Sequence, residues 1–449
     1  MVFFKIVERK PFLYYFFRGW VSLIFKKAYF RRFYFLQKEN LPPVGTPILM
    51  VSNHQNGLLD ALGIHFSLPF AYVPVFLARA DIFKKAGTAK ILNFCKVMPI
   101  YRQRDGKDNL GENAAIFDEA AKLMVRGYPV GMFPEGQHQD GHFLGPIKKG
   151  FARIAFESAQ RNGFPDNMVI LPIGNHYSDY FACRPELCIR FGKPVPLCKY
   201  YDIYRENPPR AMTLLAEEVR EAIRNQMLDI PTEHYPTYDF LREAVRGAVC
   251  RKEGLDIRYF PHRQEADCRL MAHIAQTDPK KMEKVRAAAD QYRAALQKLR
   301  LRAGDVEKPV AFLRVLADVS LLAIGFPFAL YGLCFTGLPV WLGRRKARQI
   351  AMRIKNPMLQ ASFDFAITQI IVTGLFYLIY IVLYWVFIRS WIWFLPVLAS
   401  WVLTRAFWQD WLHYARRVGY RLRAFFCKKN KYKELRKLSA GLEAWVMER

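Results

Sequence analysis

One stretch of the chain decides its fold: Ile48-Leu49-Met50-Val51-Ser52-Asn53-His54-Gln55-Asn56-Gly57-Leu58-Leu59-Asp60. Its first part is a short apolar run, which is typical of a buried strand. Asn56 and Gly57 then form a strong turn signal, and the apolar residues after them predict a helix. A strand that passes through a turn into a helix is the repeating unit of an α/β sheet.

The same alternation continues over the first half of the chain. Apolar runs predict strands, and longer amphipathic segments predict helices. The predicted strands are 48–51, 72–77, 97–100, 130–133 and 168–173, and the predicted helices include 111–125 and 149–159. We therefore predict an α/β fold, and we expect the site at the points where strands give way to loops.

His54 and Asp60 are the first candidates for chemistry. Five residues separate them, so a plain helix would not stack the two side chains, but the Asn-Gly turn can fold the carboxylate back towards the imidazole. A histidine ordinarily titrates at about pH 6.5 and can accept a proton near neutral pH. General-base assistance is worth about two to four orders of magnitude in rate. The alternative is a structural histidine, which is the commoner role for such a pair on its own.

Two further segments follow predicted strands. Phe133-Pro134-Glu135-Gly136 forms a turn that can hold a polyol or a phosphate, or a β-turn without a role. Arg102 leaves the end of the strand at 97–100. The planar fork of an arginine suits a phosphate better than the point charge of a lysine, although most such arginines are solvated surface residues.

Taken in order, these segments resemble the glycerolphosphate and lysophospholipid acyltransferase family over about residues 40–200. The matching motifs are His54 with Asp60, Tyr101-Arg102, Phe133-Pro134-Glu135-Gly136 and Leu171-Pro172-Ile173-Gly174. The resemblance implies a central mixed sheet flanked by helices. It also implies that His54 deprotonates a glycerol hydroxyl, which attacks the thioester of acyl-CoA or acyl carrier protein, and that Asp60 orients His54. The implied substrate-binding residues are Asn53, Arg102, Pro134, Glu135 and Gly136, and no metal or bound cofactor is needed.

The spacing of five residues between His54 and Asp60 is similar to that of the fungal-type glycerol-3-phosphate and dihydroxyacetone-phosphate acyltransferases. His138 stands near the position where many relatives carry a phosphate-binding arginine. The acceptor therefore stays open. Either Arg102 holds a phosphate, with Arg104, Lys148 or Lys149, or the acceptor carries none.

The charge balance indicates the surroundings of the protein. The chain has 67 Lys and Arg against 39 Asp and Glu, a net charge of +28. Near both termini the cations interleave with aromatic residues, which is typical of a membrane-surface protein. The early cations are Lys5, Arg9, Lys10, Arg18, Lys26, Lys27, Arg31 and Arg32. No nucleic-acid-reading motif accompanies the charge, so we expect no nucleic acid partner.

The last third of the chain is apolar. Val319–Gly343 and Phe365–Ile388 are free of charged residues and exceed the roughly 20 residues needed to cross a bilayer. Glycine and proline in the first segment predict a re-entrant hairpin with both basic flanks in the cytoplasm. The second segment and the shorter run Trp391–Thr404 predict another hairpin, with Arg389 at its far turn. The alternative is a set of buried core helices.

We divide the chain into five predicted regions: interfacial amphipathic helices at 1–38, an acyltransferase catalytic domain at 39–207, a helical region at 208–310, transmembrane or re-entrant hairpins at 311–410, and a basic amphipathic tail at 411–449. Eight cysteines lie scattered without a C-x-x-C pair, so we expect reduced thiols and no zinc site. The leading hypothesis is a membrane-bound O-acyltransferase of phospholipid biosynthesis, with its catalytic domain on the cytoplasmic face. Its small phosphorylated acceptor would be glycerol-3-phosphate, dihydroxyacetone phosphate or lysophosphatidate. The alternative to this enzyme is a catalytically silent membrane protein that binds or remodels lipid.

Overall fold

The computed structural model of the protein describes residues 12–101, 110–182, 184–306, 310–354, 356 and 359–448. The chain forms two compact units, one of residues 1–180 and 186–227 and the other of residues 181–185 and 228–449.

The first unit contains the strands. Strands β1 to β8 are Arg32–Leu36, Ile48–Ser52, Val75–Arg79, Val97–Ile100, Val130–Met132, Val169–Tyr177, Glu186–Phe191 and Val195–Pro196. Helices α1 to α7 are Phe12–Leu23, Leu58–Ser67, Ala86–Phe94, Leu110–Val125, Gly150–Arg161, Tyr201–Glu206 and Pro208–Arg224. A π-helical segment at Ile24–Tyr29 continues α1, and 3-10 turns lie at Lys38–Asn40, Ala80–Phe83 and Leu197–Tyr200.

The second unit is helical. Helices α8 to α15 are Tyr235–Lys252, Phe260–Gln276, Pro279–Leu299, Phe312–Arg353, Leu359–Phe363, Thr373–Phe387, Trp391–Phe425 and Lys429–Met447. A 3-10 turn lies at Ala303–Asp305, and a π-helical segment at Asp364–Val372 joins α12 to α13.

The strands form one mixed sheet in the order β1-β7-β6-β2-β5-β3-β4, with β8 paired to β6. Strand β2 lies in its middle, parallel to both β5 and β6. The pairs β6–β7 and β6–β8 are antiparallel. Helices pack on the sheet: α2 contacts β7, α4 contacts β4 and β5, and α7 contacts β6. The predicted α/β fold with a central mixed sheet flanked by helices is confirmed.

Strand β2 is apolar because it is buried on both faces, as parallel strands covered by helices are. Leu49 and Val51 point into a core that also takes buried residues from α4, α5 and α7. The middle of the sheet therefore gives the residues that follow β2 a rigid base.

Two features near the N-terminus differ from the predicted interfacial helices at 1–38. Residues Arg32–Leu36 form the edge strand β1, which pairs in parallel with residues 186–190. Arg18, counted among the membrane-facing cations, is buried instead. Its guanidinium donates to the carbonyl oxygens of His65 and Leu68 at the end of α2 and of Tyr72 beyond it, over 2.8–3.1 Å. The first two can accept because the last carbonyls of a helix lack partners within it.

The other face of α1 fits the interfacial prediction. Phe12, Phe16 and Trp20 are 83%, 58% and 40% exposed, whereas Tyr14 and Val21 are buried with Arg18. Such a row of exposed aromatic side chains is typical of a helix that lies in a membrane surface.

Within the described part of the chain, three helical segments are long and apolar enough to cross a membrane: Phe312–Arg353, Leu359–Phe387 and Trp391–Phe425. The last two form the predicted helical pair, with Arg389 between them in the left-handed region at φ 54°. The re-entrant hairpin predicted for Val319–Gly343 is wrong, because α11 is one continuous helix of 42 residues through Pro327 and Pro339.

The glycines of α11 explain this difference. A Cβ on Gly332 would lie 2.4 Å from the carbonyl oxygen of Thr404, and one on Gly343 would lie 2.7 Å from the Cα of Thr368. These glycines therefore let neighbouring helices approach closely and do not end the helix. Transmembrane helices also tolerate proline, because neighbouring groups can satisfy the freed backbone.

Candidate active site

His54 lies just beyond the carboxyl end of β2, in the turn that leads into α2. Gly57 makes this turn possible, since its φ of 53° and ψ of −120° are strained for other residues. Asp60 falls in the first turn of α2 and reaches back to the turn. Its Oδ2 accepts the backbone N–H groups of Gln55 at 2.8 Å and Asn56 at 2.7 Å. This folding explains how a spacing of five residues still brings the two side chains together.

His54 and Asp60 form the predicted pair. The distance from His54 Nδ1 to Asp60 Oδ2 is 2.9 Å, and the side chains are 15% and 0% exposed. A carboxylate only accepts, so Nδ1 carries the proton and the lone pair lies on Nε2. Within the described residues, no hydrogen bond reaches Nε2 of His54. The arrangement can therefore take a proton from a bound group at Nε2.

The turn after β5 is hydrogen-bonded to the turn that carries His54. Glu135 is 2% exposed, and its two carboxylate oxygens accept the N–H groups of His54 at 2.6 Å and Gly145 at 2.9 Å. The N–H of Gln139 in turn donates to the carbonyl of His54 at 3.0 Å. Burial raises the pKa of Glu135, and the two backbone hydrogen bonds oppose that shift. Glu135 thus holds the backbone of His54 in place.

Two rings enclose the imidazole of His54. The ring of Phe133 stacks on it with centroids 4.1 Å apart, and the ring of His138 lies 4.0 Å away at an angle of 60°. Burial, with the nearby charge of His54, lowers the pKa of His138 to about 3. His138 is therefore a neutral neighbour of His54 at physiological pH.

The other predicted binding residues have different surroundings. Asn53 is fully buried, and its side chain exchanges hydrogen bonds with the backbone of Asn175 in β6 over 2.7 and 3.0 Å. Pro134 is buried as well, whereas Gly136 is partly exposed with a φ of 69°. The structure thus brings His54, Asp60, Glu135 and Gly136 to one place.

The predicted phosphate anchors are only partly described. Arg102 and Arg104 lie outside the described residues. Lys149 is directed away, because its Nζ donates to Thr213 in α7 at 2.7 Å. The ammonium of Lys148 lies next to Gly136 in the turn after β5. A Cβ atom added to Gly136 would be only 2.9 Å from Nζ of Lys148.

Two residues of the site were missed by sequence reasoning. Tyr177, the last residue of β6, donates from its hydroxyl to Oδ1 of Asp60 at 2.7 Å. Arg79, the last residue of β3, pairs with Asp81, and its charge acts on His138. The available signal was position, because both residues lie at the end of a strand whose carboxyl end reaches the same edge of the sheet as β2.

Within the described residues, no group of three or more His, Cys, Asp and Glu side chains is arranged to hold a metal ion. The paired histidine and aspartate with a free Nε2 are suited to general-base chemistry on a hydroxyl.

Comparison with protein families assigns one part of the chain. Residues 32–175 match the family model described as Acyltransferase. The chain therefore contains a domain of the acyltransferase family, and the prediction drawn from its motifs is confirmed.

Two curated relatives show the range of this similarity. The chain is 30% identical over 135 residues to glycerol-3-phosphate O-acyltransferase 2 of Saccharomyces cerevisiae, a match that covers 30% of this chain and 17% of the yeast protein. It is 31% identical over 127 residues to a chloroplastic 1-acyl-sn-glycerol-3-phosphate acyltransferase of Brassica napus, a match that covers 28% of this chain and 33% of the plant protein. The chain thus spans a third or less of the length of either relative.

A solved structure is similar as well. The crystal structure of the 1-acyl-sn-glycerophosphate acyltransferase PlsC from Thermotoga maritima is 17% identical and aligns with 45% of this chain and 78% of that one, with a TM-score of 0.30.

Proposed function

We propose that the protein is a membrane-bound O-acyltransferase that moves a fatty acyl group from a thioester donor to a hydroxyl of a phosphorylated glycerol. One observation carries the proposal. In a domain of the acyltransferase family, Nδ1 of His54 is hydrogen-bonded to Asp60 at 2.9 Å, and Nε2 has no hydrogen-bond partner among the described residues. The names of the yeast and plant relatives both specify a phosphorylated glycerol acceptor.

In the reaction, His54 would transfer the proton and Asp60 would support it throughout. Nε2 of His54 accepts the proton of the acceptor hydroxyl while the hydroxyl oxygen bonds to the acyl carbon. The bond between the acyl carbon and sulfur then breaks, and the thiol leaves with the proton that His54 returns. The Asp60 carboxylate stabilises the imidazolium formed between these steps, because it accepts from Nδ1 throughout.

The acceptor would bind beside the turn after β5. Lys148 offers an ammonium next to Gly136, and Arg102 is the second anchor that we propose for the phosphate. Glu135 is a positioning residue in this scheme, since both its oxygens bond to backbone N–H groups. The donor is acyl-CoA or acyl carrier protein, and the chemistry needs no bound cofactor.

We place the protein on a membrane with its catalytic domain facing the cytoplasm. Three helical segments long enough to span a bilayer and the exposed aromatic face of α1 support the membrane location. The proposed orientation rests on the cysteines, which are scattered without a C-x-x-C pair and form no disulfide among the described residues, as expected in a reducing compartment.

The experiment is product identification. The full chain, purified in detergent and returned to phospholipid vesicles, is given one labelled acyl-CoA with glycerol-3-phosphate, dihydroxyacetone phosphate, lysophosphatidate and glycerol in equal amounts. We expect mass spectrometry to find an acylated phosphorylated glycerol. Acylation of glycerol alone would overturn the acceptor class. Vesicle binding without any acyl product would favour the catalytically silent lipid-binding alternative.

A further inference from the structure

The Asp60 carboxylate uses its two oxygens unequally. Oδ2 accepts from His54 Nδ1 and from the N–H groups of Gln55 and Asn56. Oδ1 accepts from the hydroxyl of Tyr177 at 2.7 Å. The backbone N–H groups of the turn thus donate to Oδ2, which faces the imidazole, whereas the Tyr177 hydroxyl from another strand donates to Oδ1.

We propose that Tyr177 is a positioning residue for acyl transfer, which fixes the Asp60 carboxylate and sets how strongly that carboxylate attracts the proton on His54. The inference rests on the proposed function and adds a residue to it. Tyr177 does not touch the acceptor in this scheme, since it acts from behind Asp60.

The position of Tyr177 suits this role. It is the last residue of β6 and pairs with Leu187 in β7. Its side chain is 1% exposed, and its ring lies 6.2 Å from that of Phe30 and 5.6 Å from that of Tyr180. A paired strand and a packed ring leave the hydroxyl little freedom, so the carboxylate that it bonds is held at a fixed angle.

Tyr177 also remains a donor at every working pH. Burial, together with the charge of Asp60, raises the pKa of its phenol well above the usual value. A protonated phenol next to a carboxylate can only donate to it, and a hydrogen bond to a charged group is stronger than a neutral one. The hydroxyl therefore draws negative charge towards Oδ1.

The effect on His54 has a definite sign. Without the hydroxyl, more of the carboxylate charge faces Nδ1 and stabilises the protonated imidazole. Because His54 must be neutral to act as a base, the acidic limb of the activity profile would move to higher pH. A purely structural Tyr177 would change the amount of folded protein and leave the profile in place.

The chain supplies a matched control. Tyr180 lies three residues after Tyr177, just beyond the end of β6, and also donates from its hydroxyl to the turn, to Oε1 of Gln55 at 2.7 Å. Its hydroxyl also lies 3.1 Å from Nδ1 of His142, and it does not bond the carboxylate of Asp60. Tyr180→Phe therefore removes a comparable hydroxyl without changing the charge on Asp60.

The experiment compares Tyr177→Phe with Tyr180→Phe in the full chain in vesicles, with kcat and KM for glycerol-3-phosphate measured between pH 5 and 9. His54→Gln is measured first, and if it transfers acyl groups at the wild-type rate, the proposed function fails and Tyr177 has no role to test. Given an inactive His54→Gln, we expect Tyr177→Phe to lower kcat about 10-fold with KM unchanged and to move the acidic limb upward. Tyr180→Phe should leave the limb in place. Identical profiles for Tyr177→Phe and wild type would overturn the inference and leave the proposed function standing.

A second variant covers the case in which Tyr177→Phe does not fold. Incorporation of 3-fluorotyrosine at position 177 keeps the shape of the side chain and makes its hydroxyl a stronger donor. More charge is then drawn to Oδ1, so the acidic limb should move to lower pH. The same replacement at position 180 should not move it, and a shift at 180 alone would contradict the inference.

Discussion

Asp60→Asn separates the charge of the buried carboxylate from its hydrogen bonds. The amide oxygen can take the place of Oδ2 and keep accepting the N–H groups of Gln55 and Asn56. The amide nitrogen then faces Tyr177, whose hydroxyl can turn and accept. We therefore expect the variant to fold and to lose only the negative charge beside His54.

We expect Asp60→Asn to change the activity more than the stability. Replacing one charged acceptor by a neutral one should lower the free energy of unfolding by about 1–3 kcal/mol. Loss of an effective general base should lower kcat/KM by about two to four orders of magnitude, which corresponds to about 2.7–5.5 kcal/mol of activation free energy. Asp60→Ala is a poorer choice, because it leaves two buried N–H groups and a hydroxyl without an acceptor, and each lowers the free energy of unfolding by about 1–3 kcal/mol.

The assay measures initial rates of transfer from labelled acyl-CoA to glycerol-3-phosphate in vesicles, with the folded fraction taken from thermal unfolding. Asp118→Asn is the control, since Asp118 is a partly exposed carboxylate paired with Lys122 and Arg161. It should keep the wild-type rate. An Asp60→Asn protein that is folded and transfers within threefold of the wild-type rate would refute the role of this charge.

Two further predictions concern stability. Gly174→Ala places a Cβ 2.3 Å from the carbonyl oxygen of Gln226 and should lower the free energy of unfolding by about 1–3 kcal/mol. Gly150→Ala is the control, because its Cβ meets nothing within 4 Å and should not lower that free energy. Equal denaturation midpoints for the two variants would contradict this prediction. Burial lowers the pKa of His65 from 6.5 to about 3, so the unfolded chain binds an extra proton between these values and stability falls as the pH drops through that window. His65→Phe should remove roughly 2–3 kcal/mol of the loss measured at about pH 4.5, and an unchanged slope of stability against pH would be the opposite result.

The middle of the sheet could be predicted because its signals are local. Strand β2 is a continuous apolar run, and the Asn-Gly turn after it marks its end. The same holds for β5, which precedes Phe133-Pro134-Glu135-Gly136. Strand β1 was missed because its aromatic and cationic residues suggest an interfacial helix, while its partner β7 lies about 150 residues further along. No local pattern reports a pairing at that distance.

The site divides in the same way. His54 and Asp60 lie on one short segment, and the Asn-Gly turn between them allowed the contact to be predicted although their spacing does not suit a plain helix. Tyr177 reaches Asp60 from β6, and this depends on the register that pairs Ser52 with Ile173. Glu135 was predicted as a substrate-binding residue, and only the folded chain shows its carboxylate bonded to the backbone of His54. Side chains that act through a second strand could not be assigned from their own neighbours in sequence.

The helix α11 shows a different kind of error. Proline and glycine within an apolar run are ordinary signals for a break, and they predicted a hairpin. In the structure, Gly332 and Gly343 face closely packed neighbouring helices, so the same residues favour continuity. The meaning of a glycine in such a segment depends on what packs against it.

The most direct test of the account is acyl transfer by His54→Gln, with His138→Gln as the matched control. The two imidazoles lie 4.0 Å apart, but only His54 bonds to Asp60. Rates are measured in vesicles with acyl-CoA and glycerol-3-phosphate, for proteins shown to be folded. We predict that His54→Gln loses at least about two orders of magnitude in kcat, whereas His138→Gln retains measurable transfer. Transfer at the wild-type rate by a folded His54→Gln protein would contradict the account.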